Sequence, residues 1–409
     1  MDSNRIVPPP PVVPTEDQES ISVWGFNDTR FQMLDGDIVR MTGDRYELAG
    51  TDLPEILGWV RDQIHPDIAA DNLNPSQYPP PIAEARVNEA FVAEVRSFLQ
   101  DDQLDDDAEV RLRHGHGQTQ EEMYRIKYDQ VRRIPDLVVY PADDEQVEKL
   151  VDAAATHNIS LIPYGGGTNV SNALHCPEDE QRMIVSVDMA RMNRILWIDT
   201  DNHMACIQAG AVGRVIAEQL EEYGFTIGHE PDSIEFSTMG GWIATHASGM
   251  KKNRYGNIED IVLDVTVITA RGTLERPHVV PRESIGIGDP RRFIYGSEGG
   301  FGIITQAVVK IFPLPEAQEY GSIIFPSLDK GIDFMYELTR TATPPASVRL
   351  VDNTHFQLSQ TLKPPSQGLK KLKSRLEKWM VTRVKGFDPD ELAACTLVFE
   401  GSKAEVDTQ

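Results

Sequence analysis

The sequence predicts an α+β protein of more than one domain, on three observations. A strand, an amphipathic helix and a second strand follow one another between Ile134 and Tyr164, and a series of β-rich runs comes next. Three glycine-rich segments stand directly beside strand-like runs. At 409 residues the chain is too long for one ordinary core, so two or three domains are expected.

Residues 1–22 are Pro-rich and acidic and are expected to be a disordered lead. Residues 23–130 read as a helical N-terminal region, with structure starting near Val23. Helices are expected over Leu53–Ile64 and Ile82–Leu99, a loop over 66–81 and a solvated acidic loop at DDQLDDDAEV. Residues 131–313 read as one α+β domain. RIPDLVVYP is a short apolar run between prolines, which marks a strand. DDEQVEKLVDAAATHN puts acids first and then Val147, Leu150, Val151 and Ala154 at helical spacing. Acids suit the positive end of a helix, and the spacing buries one stripe. ISLIPY, RMIVSVDM, RILWIDTD and MACIQAGA read as strands and VGRVIAEQLEEYG as a helix. IEDIVLDVTVITARG and FGIITQAVVKIFP are long strand-like runs, and Pro313 and Pro315 close the domain.

Residues 314–409 read as the beginning of an α+β cap domain. YGSIIFPSLDKGIDFMYELTR suits a strand then a helix, ASVRLVDN a strand, and GLKKLKSRLEKWMVTR a basic helix. That helix is either a solvated face or a contact for anionic lipid. LAACTLVFEG is a last strand with nothing after it to complete a domain.

Composition narrows the function. Lys plus Arg is 39 against 64 for Asp plus Glu, a net charge of −25 that repels phosphate backbones, so no nucleic-acid partner is expected. No run reaches the roughly 18 apolar residues of a membrane span. Neither MDSNRIVPPPPVVP nor EVDTQ reads as a targeting signal. Cys176, Cys206 and Cys395 lack a CxxC spacing; they read as small buried residues in a reducing compartment.

The glycine segments carry the chemistry. In PYGGGTN, three consecutive glycines lack Cβ atoms and reach positive φ, so their N–H groups can converge on a pyrophosphate. The same run also reads as a plain loop, and it is not the GxGxxG of a Rossmann site. PDSIEFSTMGGWIATHASGMKKNRYGNIED is dense in small and hydroxyl residues that suit a polar cofactor, or a Gly/Ser-rich loop over a helix start. GSEGGFGIITQAVVKI puts a glycine turn before a strand, either for close ligand approach or as a simple turn. His114 and His116 lie two residues apart with no further ligands at metal spacing, so no metal is expected. Arg349 by itself reads as a surface or salt-bridged arginine.

In this order and wording the three segments resemble the FAD loops of the vanillyl-alcohol oxidase superfamily, the PCMH-type FAD-binding fold, over residues 131–313. WGFNDTRF, RLRHGHGQ, MNRILWID, the whole GHEPDSIEF…NIED run and PPASVRLVDNTHFQ look like the alkyldihydroxyacetonephosphate synthase (alkylglycerone-phosphate synthase) family, from Val23 to the end. The resemblance implies a transferase of ether lipid biosynthesis. Such an enzyme exchanges the acyl group of acyl-dihydroxyacetone phosphate for a long-chain fatty alcohol through a flavin adduct, releasing a fatty acid. It also implies non-covalent FAD, in keeping with the lack of a tethering histidine in PYGGGTN. A peroxisomal location, peripheral membrane association and a homodimer follow from the same likeness.

Carried over by position, the FAD contacts are Pro163, Tyr164, Gly165, Gly166, Gly167, Thr168 and Asn169 in the first loop. In the second they are Asp232, Ser233, Ile234, Glu235, Phe236, Ser237 and Thr238, then Thr245, His246, Ala247 and Ser248. In the third they are Gly296, Ser297, Glu298, Gly299, Gly300, Phe301 and Gly302. Arg349 is the implied catalytic residue, on the strand face shared by Ser347 and Val351 and opposite Val348 and Leu350. From there it is expected to meet a phosphate or carboxylate near the flavin. His114 and His116 are expected in a loop near the flavin or at a domain contact.

Two departures stand out. His246 takes the place of an arginine in a T-R-A-S motif, and histidine is mostly neutral near pH 7. GSEGGFG replaces the commoner GSEGTLG. The family's histidine-rich loop and tyrosine proton acceptor find no match in 316–409, so this stretch is expected to bind FAD without completing turnover alone. Two other readings stay open: an FAD-dependent 2-hydroxyacid dehydrogenase of the D-lactate type, and a non-catalytic FAD-binding fragment.

Overall fold

Helix Asp144–His157 is built as its sequence demands. Asp143 caps it by accepting from the Gln146 amide at 2.8 Å, and Asn158 ends it in the left-handed region at φ 54°. Its apolar stripe, Val147, Leu150, Val151 and Ala154, is buried. The computed structural model describes residues 5–12, 19–64, 74–276, 289–341, 343–363 and 385–409. Contacts divide the chain into two units, Met1–Val13 with Ser76–Leu314, and Pro14–Pro75 with Pro315–Gln409.

In the first unit this helix links two parallel strands. The four-stranded sheet runs Leu104–Asp105, Leu137–Val139, Ile184–Asp188, Ser160–Tyr164, and its last three strands are parallel. The two strands it links are parallel and lie on either side of Ile184–Asp188, and a parallel connection needs a crossover, which the helix supplies. All five residues of Ile184–Asp188 are buried, as expected of a strand covered on both faces. The second sheet is antiparallel, in the order Arg5–Ile6, Ile195–Asp199, Met204–Gln208, Ile303–Lys310, Val262–Thr269, Gly272–Leu274. Side chains of both sheets join one apolar core that includes Val185, Val187, Ile198, Ile207, Val265 and Val309.

Four expectations in this unit need correction. DDQLDDDAEV is not a solvated loop: Gln103 is buried, Leu104–Asp105 pairs with Val138 and Val139, and Asp107 caps helix Ala108–Arg113. The lead is not wholly disordered: Arg5 and Ile6 pair with Asp199 and Ile198, the Arg5 guanidinium lies 4.0 Å from the Trp197 ring, and the Pro9 carbonyl accepts from Gln219 Nε2 at 3.0 Å. An edge strand with open backbone groups recruits the chain, and the prolines that follow stop the pairing. The helix expected over Ile82–Leu99 spans only Glu89–Val95. Asn88 caps it on Phe91 N at 3.2 Å, while the Arg86 amide donates to Asp136 Oδ1 at 2.8 Å, so tertiary bonding holds the preceding residues extended. IEDI forms a short helix, Ile258–Ile261, closed by a capping box between Asn257 and Asp260, before the strand begins at Val262.

The second unit has two small sheets. Phe31–Leu34, Ile38–Met41 and Asp52–Leu53 form an antiparallel sheet, followed by helix Ile56–Ile64. Ala317–Phe325, Ala393–Gly401 and Ser347–Val351 form another, with Ala393–Gly401 in the middle. Val39, Leu53 and Leu57 are buried together with Leu362 packed against them. The expected N-terminal region 23–130 is therefore divided near residue 75, because its first half finds an apolar partner some 300 residues away in sequence. Helix Lys403–Thr408 follows the last strand, with a capping box between Ser402 and Glu405. The basic run GLKKLKSRLEKWMVTR, at 368–383, lies outside the described residues.

Candidate cofactor site

Strand Ser160–Tyr164 ends the parallel sheet and hands the chain to Gly165, Gly166 and Gly167. Only Gly167 of the three has positive φ, at 61°. The missing β-carbons serve protein packing first. A β-carbon on Gly165 or Gly166 would overlap Thr238 Oγ1 or the Phe236 carbonyl, so the first and second loops touch backbone to backbone. One on Gly167 would run into Tyr164 and Arg113. Among the described residues, no acceptor meets the amides of these three glycines, and all three line a cavity of 370 Å³. Backbone donors left over at a cavity wall must be satisfied by solvent or by a ligand, and successive ones suit an anion.

The second loop is stitched in place by its own polar groups. Ser233 O accepts from Ser237 N and Ser237 Oγ, both at 2.8 Å; Trp242 Nε1 donates to Ser237 Oγ at 2.8 Å. Thr238 Oγ1 caps helix Met239–Ala244 on the Gly241 amide at 3.3 Å. Gly213 N donates to Ser237 O at 3.0 Å, tying the loop to the start of helix Gly213–Glu221. The third loop is held by Glu298 N on Ala244 O at 2.9 Å and by Ser171 Oγ on Glu298 Oε1 at 2.7 Å. Three loops thus converge from two sheets, each fixed by bonds that leave the cavity face open.

All seven residues from Pro163 to Asn169 line the cavity, as do Ser233, Ser237, Thr238, Thr245, Ala247, Glu298, Gly299 and Gly302. Asp232, Ile234, Glu235, Phe236, His246, Ser248, Gly296, Ser297, Gly300 and Phe301 do not. Phe301 instead borders a neighbouring 210 Å³ hollow with Val151 and Leu161. The wall also takes Val170, Leu174, Met189, Ala209, Trp242 and Ile304, which sequence reasoning missed. The AGA turn after strand Met204–Gln208 was the available signal for Ala209; Met189 and Ile304 looked like ordinary core.

A pocket rimmed by acceptor-free amides and hydroxyls, with an apolar floor of Leu174, Met189, Trp242 and Ile304, fits a long molecule with a charged middle and a flat aromatic end. The model of the FAD binding domain family matches residues 135–277, and that of the C-terminal domain of FAD linked oxidases matches residues 314–409. Alkyldihydroxyacetonephosphate synthases of Caenorhabditis elegans and Dictyostelium discoideum are 41% and 34% identical to the chain, each over 94% of it. A solved alkyldihydroxyacetonephosphate synthase structure superposes with a TM-score of 0.85 at 33% identity, over 97% of this chain and 71% of that one.

The chain belongs to the alkyldihydroxyacetonephosphate synthase family.

It spans 64% of the length of each of those two curated relatives. As a member of this family it carries a PCMH-type FAD-binding domain, and FAD is its cofactor. His246 has φ 54°, stacks on Tyr295 at 5.3 Å and faces Glu259 Oε2 from Nε2 at 3.2 Å. Of the histidine pair, His114 bonds Asp188 Oδ2 at 2.8 Å and packs on Tyr164, while His116 is buried with Nδ1 on the Gly117 carbonyl at 2.7 Å. Burial pushes the His116 imidazole down to about 4. Arg349 is exposed in the second unit, on strand Ser347–Val351. Its neighbour Leu350 packs over Gly331 of helix Leu328–Leu338, while Ser347, expected on the Arg349 face, is buried.

Proposed function

We propose that the whole protein is an FAD-dependent alkylglycerone-phosphate synthase. It would exchange the acyl group of acyl-dihydroxyacetone phosphate for a long-chain fatty alcohol and release a fatty acid. One observation carries the reading: three consecutive acceptor-free glycine amides open into a three-loop cavity in a chain of this family.

Gly165, Gly166 and Gly167 hold the pyrophosphate by their N–H groups, with FAD held non-covalently. Ser233, Ser237, Thr238 and Thr245 offer hydroxyls to the cofactor's polar middle. Met189, Trp242 and Ile304 keep water from its ring. Bound FAD would supply the nucleophilic ring chemistry. The exposed Arg349 guanidinium suits the substrate phosphate or the departing carboxylate, either of which it can meet with two parallel N–H bonds. Substrates of this class come from membranes, which favours peripheral association; a peroxisomal setting and a homodimer complete the proposal.

The test is optical. The purified whole protein is loaded with FAD, then offered either acyl-dihydroxyacetone phosphate or D-lactate. The expected result is a change in the flavin spectrum with fatty acid released only by the former. Flavin bleaching by D-lactate would favour the 2-hydroxyacid dehydrogenase; tight FAD with no response to either would favour a binding module.

A further inference from the structure

The described residues that line the cavity include one charged side chain, Glu298, and no cation, although the ligand proposed there carries a pyrophosphate. His246 does not line the cavity and faces Glu259. One cation touches the glycine loop without lining the cavity. Arg113, 8% exposed, ends helix Ala108–Arg113, and its Nη2 donates to the Gly166 carbonyl at 3.5 Å. A β-carbon on Gly167 would sit 2.6 Å from its Nη1.

We propose that Arg113 is a positioning residue for cofactor binding: it holds the Gly166–Gly167 peptide so that the Gly167 amide faces the pyrophosphate. The inference rests on the FAD reading above. In a trans peptide, the C=O and the N–H that follows it point in opposite directions. A carbonyl drawn back towards Arg113 therefore turns the Gly167 N–H away from it, to the side on which the cavity lies. The guanidinium also polarises that peptide, which makes its N–H a better donor to an anion.

The arginine is itself well anchored. The next residue, His114, bonds Asp188 Oδ2 at 2.8 Å and packs against the Tyr164 ring at 4.2 Å between centroids. Tyr164 is the last residue of the strand that launches the loop, and Arg113 lies 5.8 Å from the centroid of the same ring. The RLRHGHGQ segment, which sequence reading left with a vague loop role, thus packs against the loop through Arg113 and His114, which do not line the cavity.

Arg113→Gln and Arg113→Lys decide the matter, measured as FAD affinity by fluorescence quenching, ADP affinity by competition, and the thermal midpoint of the FAD-free protein. Removing a charged donor of this kind should weaken FAD and ADP together by about tenfold or more in the Gln variant, with the FAD-free midpoint little changed. Lys, which keeps the charge but not the planar fork, should recover part of the loss. Unchanged FAD and ADP affinity in Arg113→Gln overturns the proposal. So does a loss that Lys does not ease and that tracks a lowered midpoint, since packing would then explain it. If the Gln variant does not fold, wild-type affinity in the Lys variant overturns it as well. A wild-type chain that takes neither FAD nor ADP sinks the cofactor reading itself, which is a separate result.

Discussion

Gly166 and Gly224 show two different reasons for a glycine. Gly166 has ordinary φ but no room, since a β-carbon would overlap the Phe236 carbonyl. Gly224 has open space but φ 80°. Gly166→Ala should force the first two loops apart and weaken FAD binding by about tenfold or more, as lost backbone donors to an anion would. Gly224→Ala should cost about 1 kcal/mol of stability and leave FAD affinity alone. Titration with FAD alongside thermal unfolding separates the two. The buried histidines set a pH limit. His116 and His229 are both pushed from 6.5 down to about 4 by burial, and His229 is fully buried with its ring 4.9 Å from that of Trp242. Between these values the unfolded chain binds protons that the folded one does not. Stability is therefore highest above about 6.5 and falls as pH drops towards 4. The thermal midpoint should decline over that window, and His116→Gln should reduce the slope.

Elements hold together through a few polar anchors whose strength depends on burial. Asp136 is buried and accepts from four donors: Arg86 N at 2.8 Å, Ile184 N at 2.8 Å, and Arg133 Nη1 and Nη2 at 2.8 and 2.7 Å. It joins the extended segment before helix Glu89–Val95 to the parallel sheet. Asp136→Ala would leave the buried Arg133 guanidinium without its carboxylate, held only by the Ile134 and Arg182 carbonyls, and two amides without acceptors, and should cost about 3 kcal/mol or more. Asp143, at the exposed start of helix Asp144–His157, makes one capping bond, and Asp143→Ala should cost only about 1 kcal/mol. Chemical denaturation of the two variants tests the contrast, and equal losses would contradict it. The same logic explains the shortened helix after Ile82. Helical propensity was adequate, but backbone bonding to Asp136 held residues ahead of Asn88 extended.

At the scale of the whole molecule, net charge and cofactor act in opposite directions. A charge of −25 disfavours a dianionic ligand over most of the surface, so binding must come from local donors rather than from the overall field. FAD that binds only the folded chain should stabilise it by about 2.7 kcal/mol at a hundred times its dissociation constant. The midpoint should rise with FAD concentration, and hydrogen exchange should slow at Gly165–Gly167. A midpoint indifferent to FAD would contradict the site.

Much of this was legible before any coordinates. Val147, Leu150, Val151 and Ala154 declared a helix, the prolines around LVV bounded a strand, and the three glycine loops announced a shared ligand. These signals are local: propensity, periodicity and missing β-carbons act within a few residues. Tertiary structure alone decided the rest. It recruited Arg5 and Ile6 to an open sheet edge, and it sent the first half of the N-terminal region to Leu362. It used the β-carbon space of Gly165 and Gly166 for loop packing rather than for the ligand, and it brought Arg113 to the glycine loop. Each of these joins residues roughly 50 to 300 positions apart, where partners are chosen by shape and unmet hydrogen bonds that no local pattern records.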